Sequence, residues 1–470
     1  MPLILGTNSI KDTGYNVANS LRFNGGSSDY LNRTNVASPT NQFKWTFSFW
    51  LKISDISDSQ GSGNQMLFSD FTDASNRGTI FLESDDTLVI SDRISNSFTF
   101  KYQTTRKFRD VSAWYHIVVN HDRTLSSPAT KVFVNGVQET SFGTSTNPSQ
   151  NGTSFFNKGS QGSLIGKYGG GNEFYNGYIC EAVWIDGSVL DADQFGEFDE
   201  DSPTVWKPKD VSGLTFGNNG FYLDFENSGA LGTDVSGNSN NFTVNNLTSI
   251  DQTTDTCTNN FATLNPLDNY FAGSTFSEGN CKIVTTSGNI TYNTSTIGFS
   301  SGKWYIENKV GTSSGSVIGP ITGVSTGNNN DNKIGNRSDG WGYDYRGLVE
   351  HIGADVGGSF ATYGAGDIIG VYIDLDNNEL YFAKNGTLQN SGTGLALTAG
   401  LTYFFATGDN NNGVAITHEV NFGNPTYSIS SGNTDPNGYG NFEYDPSSGT
   451  FDGSSKSFYA LNTKNLAEFG

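Results

Sequence analysis

Cysteine is scarce: Cys180, Cys257 and Cys281 are the only three in 470 residues. That number is too small for a disulfide scaffold, and the spacing fits no zinc pattern. Cys180 sits in the alternating run Tyr178–Trp184 and reads as a small strand residue. A Cys257–Cys281 bridge stays open as an alternative. Long apolar runs are also missing, so nothing approaches the ~20 residues of a membrane span, and no membrane insertion is expected. The opening MPLILG has no basic region and does not read as a secretory signal. Heptads are absent, which argues against a coiled-coil shaft. Basic residues are outnumbered, with 26 Lys+Arg against 47 Asp+Glu and a formal charge of −21. Phosphate binding needs clustered Lys and Arg, so nucleic acid is not an expected partner. The excess reads as solubility charge.

What the chain has instead is aromatics and turn formers: 34 Phe, 21 Tyr and 58 Gly. Aromatics in short alternating runs, punctuated by Gly, Asn, Asp and Ser, predict an all-β protein. The length allows two or three domains with real cores. The clearest strand signal lies in GDIIGVYIDLDNNELYFAKNG at 366–386. There Ile369, Val371, Ile373 and Leu375 share one face at a spacing of two, with Tyr372, Asp374 and Asp376 on the expected solvent face. Asn377-Asn378 and Asn385-Gly386 supply turns, and Leu380 and Phe382 continue the alternation. The runs 114–119 and 131–136 echo this hairpin. In Phe43–Ile53, Phe43, Trp45, Phe47, Phe49 and Leu51 form the inner face, and Lys44, Thr46, Ser48 and Lys52 the other.

These segments carry a family resemblance. FSFWLKIS (47–54), WYHIVVNHDRT (114–124), KVFVNGVQ (131–138) and FYNGYICEAVWIDGSVLDADQF (174–195) place region 20–200 close to the laminin-G-like branch of the concanavalin A-like sandwiches. SGKWYIENKV (301–310), WGYDYRG (341–347), the 366–386 hairpin and VNFG (420–423) make region 255–430 resemble the SPRY domain. The resemblance implies two antiparallel β-sandwiches in tandem, jelly-roll, concanavalin A-like and SPRY-like. Around them lie an N-terminal arm (1–19), a connector (201–254) and a tail (431–470) whose Ser457–Asn462 patch is expected to dock as a final strand. VANSLRFN (17–24), FRDVSAWYHIVVN (108–120), GNNGFYLDFEN (217–227), TNNFATLNPLD (258–268) and ALNTKNL (460–466) resemble segments of virion tail-fibre or surface-appendage proteins of marine tailed bacteriophages. That implies a homo-oligomer assembled in the host cytoplasm and released by lysis. Its expected partners are other virion proteins and a host cell-surface glycan or protein. A capsid decoration protein and a free glycan-binding lectin are the alternatives, with a polysaccharide hydrolase behind them.

Catalysis is not expected. Glycoside hydrolases of this fold need two facing carboxylates, and laminarinase-type members carry them as ExDxxE. That pattern is absent. Asp374, Asp376 and Glu379 come nearest but fall across a turn. His116, His121, His351 and His418 have no Cys or Asp at ligand or triad spacing and read as structural. No cofactor is required. Calcium has one candidate loop, with Asp224, Asp234 and Asn238 as oxygen ligands, although Asx-rich turns also hold themselves by side-chain hydrogen bonds. The ligand-binding candidate is the loop Arg337, Asp339, Trp341, Tyr343, Tyr345 and Arg346, because sugars stack on rings and bond laterally to polar groups. Its Trp-Gly-Tyr stretch also fits a regular SPRY core. A second loop, Gly169-Gly170-Gly171-Asn172 with Tyr168 and Tyr175, carries glycines that permit a turn.

Overall fold

The computed structural model describes residues 12–35, 37–56, 63–127, 129–271, 273–286, 290–311, 320–326, 333–409 and 414–470. Residues 1–11 of the expected arm, and Gly319 at the start of an expected strand, lie outside them. The chain divides into two compact units, one of Thr13–Thr258 and one containing Asn259–Gly470.

In the first unit two antiparallel sheets face each other. One runs in the order Val137–Glu139, Thr130–Val134, Trp114–Asp122, Lys44–Ile53, Gly177–Asp186, Ser20–Phe23 and Gln252–Thr253. The other runs Phe142–Thr146, Ser97–Lys107, Thr87–Ile94, Asn76–Leu82, Gln65–Asp73, Gly162–Ile165, Tyr30–Thr34 and Thr243–Asn245. Alternation drives the inner faces together: Trp45 and Trp184 stack at 4.9 Å, and Phe68 stacks on Trp184 at 5.1 Å. Residues read as a connector contribute strands here. Phe221–Leu223 pairs with Gly177–Asp186, Thr243–Asn245 with Tyr30–Thr34, and Gln252–Thr253 with Ser20–Phe23.

The second unit repeats the plan. Its smaller sheet runs Leu264–Phe271, Thr291–Ser295, Phe404–Asp409, Pro320–Ser325, Gly340–Asp344, Leu348–His351 and Ala354–Asp355. The larger runs Thr275–Ser277, Lys282–Val284, Thr417–Asn421, Lys303–Val310, Ile368–Asp374, Glu379–Lys384 and Thr387–Leu388. The hairpin turns as its sequence requires, with Asn378 at φ 57° and Asn385 at φ 49°. In the tail, Tyr459–Ala460 adds a parallel strand to Lys303–Val310. A closing helix, Thr463–Phe469, is capped by Asn462, whose side chain accepts from the Asn465 N–H.

The sheet faces opposite the cores are covered in both units, including the hairpin face expected to meet water. Every residue of Ile368–Asp374 is buried, Asp374 completely. Tyr372 packs among Tyr305, Tyr381, Phe442, Phe451 and Phe458, mostly tail residues. Only Asp376, beyond the strand, keeps a half-exposed side chain (49%). In the first unit Thr46, Ser48 and Lys52 are likewise buried. Thr46 Oγ1 donates to the Ser188 carbonyl at 3.1 Å, and the Lys52 ammonium meets the Asp255 carboxylate at 2.8 Å. Each sandwich therefore carries a partial third layer built from the chain that follows it, and that layer supplies partners for polar side chains.

Candidate binding site

The predicted ligand loop folds inward. Trp341 and Tyr343 share a parity on Gly340–Asp344, which points both rings into the core. Trp341 lies flat on His351, with centroids 3.8 Å apart and planes 4° from parallel. Tyr343 is fully buried against Tyr363 and Phe382, and its hydroxyl donates to the Ala361 carbonyl. Tyr345 is half-buried on the rim. Arg346 grips Asp344 through two bonds, 2.8 and 3.1 Å, and Glu350 at 3.1 Å. Arg337 reaches Asp339 at 3.2 Å, and Asp339 also accepts from Thr326. The cluster satisfies itself, and its two largest rings offer no face to a ligand.

The calcium candidates are spent in the same way. Asp234 accepts from the backbone N–H of Tyr222 (2.9 Å), Ser236 (2.9 Å) and Asn240 (2.7 Å) and from the Ser236 hydroxyl (2.9 Å). Asn238 turns its amide toward the Gly217 and Gly220 carbonyls at 2.7 and 3.0 Å. Asp224 accepts from the Glu226 N–H at 3.1 Å, and burial raises its pKa. Among the described residues no group of three or more His, Cys, Asp or Glu side chains could hold a metal.

The acidic hairpin residues surround a lysine. Lys456 Nζ lies 3.0 Å from Asp374, 2.5 Å from Glu379 and 2.6 Å from the Tyr381 hydroxyl. In the glycine loop, a Cβ on Gly169 would fall 2.4 Å from the Phe71 ring, so these glycines let the chain cross that ring. Tyr175 is buried, with its hydroxyl donating to the Lys52 carbonyl at 2.9 Å.

A concavity of about 370 Å³ in the first unit was not foreseen. The strand Gly196–Phe198 pairs with Trp206–Pro208, so that Phe198 lies opposite Trp206. These rings meet edge to face at 4.9 Å, and Phe198 is 43% exposed. Phe133 and Ala192 complete the apolar wall. The indole is held from behind: its Nε1–H donates to His116 Nδ1 at 2.9 Å. This leaves His116 Nε2 to carry the ring proton and donate to Ser48 Oγ at 2.8 Å. Burial lowers the His116 pKa to about 3, so the imidazole stays neutral and its acceptor nitrogen faces Trp206 throughout ordinary pH. Two glycines make room, since a Cβ on Gly136 or Gly196 would sit 2.3 or 2.6 Å from the indole. Around the rim Asp191 pairs with Lys131 at 3.3 Å and Glu197 with Lys209 at 3.7 Å, while Asp193 adds a third carboxylate. The sequence signal was one tryptophan in a polar connector, and its supports come from strands far away.

In the same unit, Glu181 occupies a bulge in Gly177–Asp186 at φ 51°, a conformation side chains seldom adopt. Its carboxyl accepts from Tyr222 at 2.8 Å and Tyr15 at 3.5 Å. Burial, reinforced by Asp224 and Glu226 and opposed by the two phenols, raises its pKa to about 8. In the second unit a polar concavity of about 660 Å³ is lined by Lys303, Asp376, Asn377, Ser455, Tyr459 and Phe469. Both lysines that line it are already held, Lys303 by Asp376 and Lys456 by Asp374 and Glu379.

Residues 24–194 match the family model described as the concanavalin A-like lectin/glucanases superfamily, and residues 303–418 match the SPRY domain model. The chain thus carries a laminin-G-type concanavalin A-like domain followed by a SPRY domain. Among solved structures, the SPRY domain of human HERC1 is 17% identical, covering 33% of this chain and 96% of that one, with TM-score 0.29. A heptameric SAP-like pentraxin from Limulus polyphemus is 16% identical, covering 38% and 82%, with TM-score 0.28. Domain 4 of AbnA, an arabinanase from Geobacillus stearothermophilus in complex with arabinotriose, is 17% identical, covering 36% and 71%, with TM-score 0.27. No curated protein matches the chain.

Proposed function

We propose that this chain is a non-enzymatic virion protein of a tailed bacteriophage, a tail-fibre or fibre-like component that binds a host-surface glycan in the Trp206 pocket. The observation that carries the binding half is the pocket itself. An indole fixed by a buried neutral histidine and two glycine gaps stands beside the exposed Phe198, inside a rim of paired carboxylates and ammonium groups. A sugar ring presents an apolar C–H face to such rings and hydroxyls to such a rim. The rim carboxylates and lysines can accept from and donate to the hydroxyls of a neutral polyhydroxylated ring, and the excess of carboxylate disfavours an anion. Rigid support means that little ordering entropy is lost on binding. The virion half rests on the resemblance of five segments spread along the chain to phage appendage proteins.

The test has two arms. Purified protein is run on a glycan array and on host-surface polysaccharide, with and without chelator, beside the W206A variant. Capture that depends on Trp206 and ignores chelator is expected; capture unchanged in W206A would remove the pocket from the reading. Separately, particles are sedimented and the protein quantified in them by mass spectrometry. Absence from particles would end the virion reading. A capsid decoration protein is the second reading within this class. It would sediment with particles, yet the purified protein would fail to block adsorption.

A further inference from the structure

Two of the three thiols meet inside the first unit. Cys180 Sγ and Cys257 Sγ are 3.7 Å apart, although 77 positions separate the residues, and neither is bonded to another cysteine. Cys180 belongs to the central strand Gly177–Asp186 and is wholly buried, in a layer with Val17, Trp50, Trp114 and Tyr178. Cys257 is half-buried against the same layer. Its segment is clamped on both sides. Before it, Asp255 takes the Lys52 ammonium at 2.8 Å and the Trp114 indole N–H at 3.2 Å, while its carbonyl accepts from Ser20 at 2.6 Å. After it, Thr258 Oγ1 accepts the Val17 N–H at 3.1 Å. The sulfur contact is therefore a fixed feature of the packing. A disulfide needs the sulfurs at about 2.05 Å, a closure of under ~2 Å that two χ1 rotations can share.

We propose that Cys180 and Cys257 form an oxidative cross-linking site, at which a low-molecular-weight disulfide converts the two thiols into an intramolecular disulfide. Cys257, the more accessible, gives up its proton and its thiolate attacks one sulfur of R–S–S–R. That bond breaks, and R–S⁻ leaves and takes up the proton. The Cys180 thiolate then attacks the Cys257 sulfur of the mixed disulfide and expels the second R–S⁻, which takes the Cys180 proton. Two protein thiols are oxidised and one small disulfide is reduced to two thiols. Burial, together with Cys180 and Glu181, holds the Cys257 thiol well above its ordinary pKa, so the first step is slow at neutral pH. The product ties the last segment of the first unit to its central strand. The loop it closes contains Phe221–Leu223, Thr243–Asn245 and Gln252–Thr253. Closing so long a loop restricts the unfolded chain and raises the melting temperature by roughly 5–10 °C. None of this depends on the glycan or virion reading.

The test uses the full chain, reduced, then held in oxidised glutathione, quenched in acid, denatured and alkylated. Expected are one alkylated cysteine, Cys281, a chymotryptic cross-link joining the Cys180 and Cys257 peptides, and the melting shift above. C257S and C180S should each lose both the cross-link and the shift. If C180S fails to fold, C257S, altered at the half-buried position, carries the control. Three alkylated thiols after prolonged exposure, a glutathione adduct on Cys257 that Cys180 never resolves, or a cross-link to Cys281 would each overturn the proposal.

Discussion

Lys456 places its ammonium 3.0 Å from the carboxylate of Asp374, a residue 82 positions earlier on the opposite side of the sheet from the core. The pair is the polar anchor of the layer that the tail lays over the second unit, and it is nearly dry, with side-chain exposures of 12% and 0%. Removing one partner of a buried pair strands the other charge. K456M is expected to destabilise the second unit by about 2–4 kcal/mol, read by urea unfolding. The pair also sets a pH window. Burial pushes the Asp374 carboxyl up, but Asn377, Lys456 and Lys303 outweigh it and leave the pKa lowered. The pKa of Lys456 is raised: burial alone would lower it, and Glu379 and Asp374 more than reverse that. The aspartate's contribution is present above the unfolded carboxyl value of about 4 and is lost as pH falls through the depressed value; the lysine's is present below about 10.4 and is lost above. K456M should lose the alkaline dependence that wild type shows. Equal stability of the two proteins at neutral pH would contradict the assignment.

Glu181 works in the opposite sense. Its folded pKa of about 8 exceeds the ordinary glutamate value, so between the two the native state holds a proton that the unfolded state has released. Stability of the first unit contributed by this group therefore falls as pH rises, by about 1.4 kcal/mol per unit across that interval. E181Q keeps an acceptor for Tyr222 and cannot ionise. The gain of E181Q over wild type should grow steadily from pH 5 to pH 8, by a total on the order of 3–4 kcal/mol. A constant difference between the two melting curves would show that Glu181 is ionised in the folded protein. Asp70, raised to about 6 by burial, adds a slope of the same sign over a narrower range that remains in both proteins.

The Trp206 slot has a steric signature. Gly136 combines φ +77° with a virtual Cβ 2.3 Å from the indole. G136A is expected to push the ring out of its place beside His116 while leaving the sandwich folded. Tryptophan fluorescence should shift to the red, circular dichroism should stay unchanged, and glycan capture should fall by tenfold or more. Retained capture with a displaced ring would mean that the pocket does not bind through Trp206.

For Asp234 the expectation separates turn from metal. The carboxylate satisfies three backbone N–H groups and one hydroxyl, so D234A leaves buried donors unpaired, at a cost of about 2–3 kcal/mol. Calcium or chelator should shift the melting of neither wild type nor variant. A calcium-dependent rise confined to wild type would restore the loop as a metal site.

The inner faces of both sandwiches were legible because apolar alternation is a direct record of burial. Trp45, Phe47 and Phe49 in one unit and Ile369, Val371 and Ile373 in the other all lie in the cores the spacing assigns them. What covers the opposite faces was not legible, for one physical reason. A buried polar side chain with a good partner has the same residue type as a solvated one, and the partners of Lys52, Ser48 and Asp374 come from segments that sequence spacing does not connect. The loop 337–346 shows the converse. Trp341 and Tyr343 have strand parity, which points them inward, yet their polar neighbours gave them the look of a recognition loop. Trp206 escaped notice because its setting depends on His116, 90 positions earlier, on Gly136 in a turn and on Gly196 in a short strand.

The tail over the second sheet also has a meaning in time. Phe442, Phe451, Phe458 and Lys456 are synthesised after every strand they cover. While the ribosome is still adding them, the strand Ile368–Asp374 presents Tyr372, and an Asp374 still lacking Lys456, to solvent. The first unit has all of its strands and clamps once Thr258 has emerged, and can fold while translation continues. Slow translation of residues 431–470, or a ribosome stalled there, would therefore leave a finished first sandwich attached to an open, aggregation-prone second one.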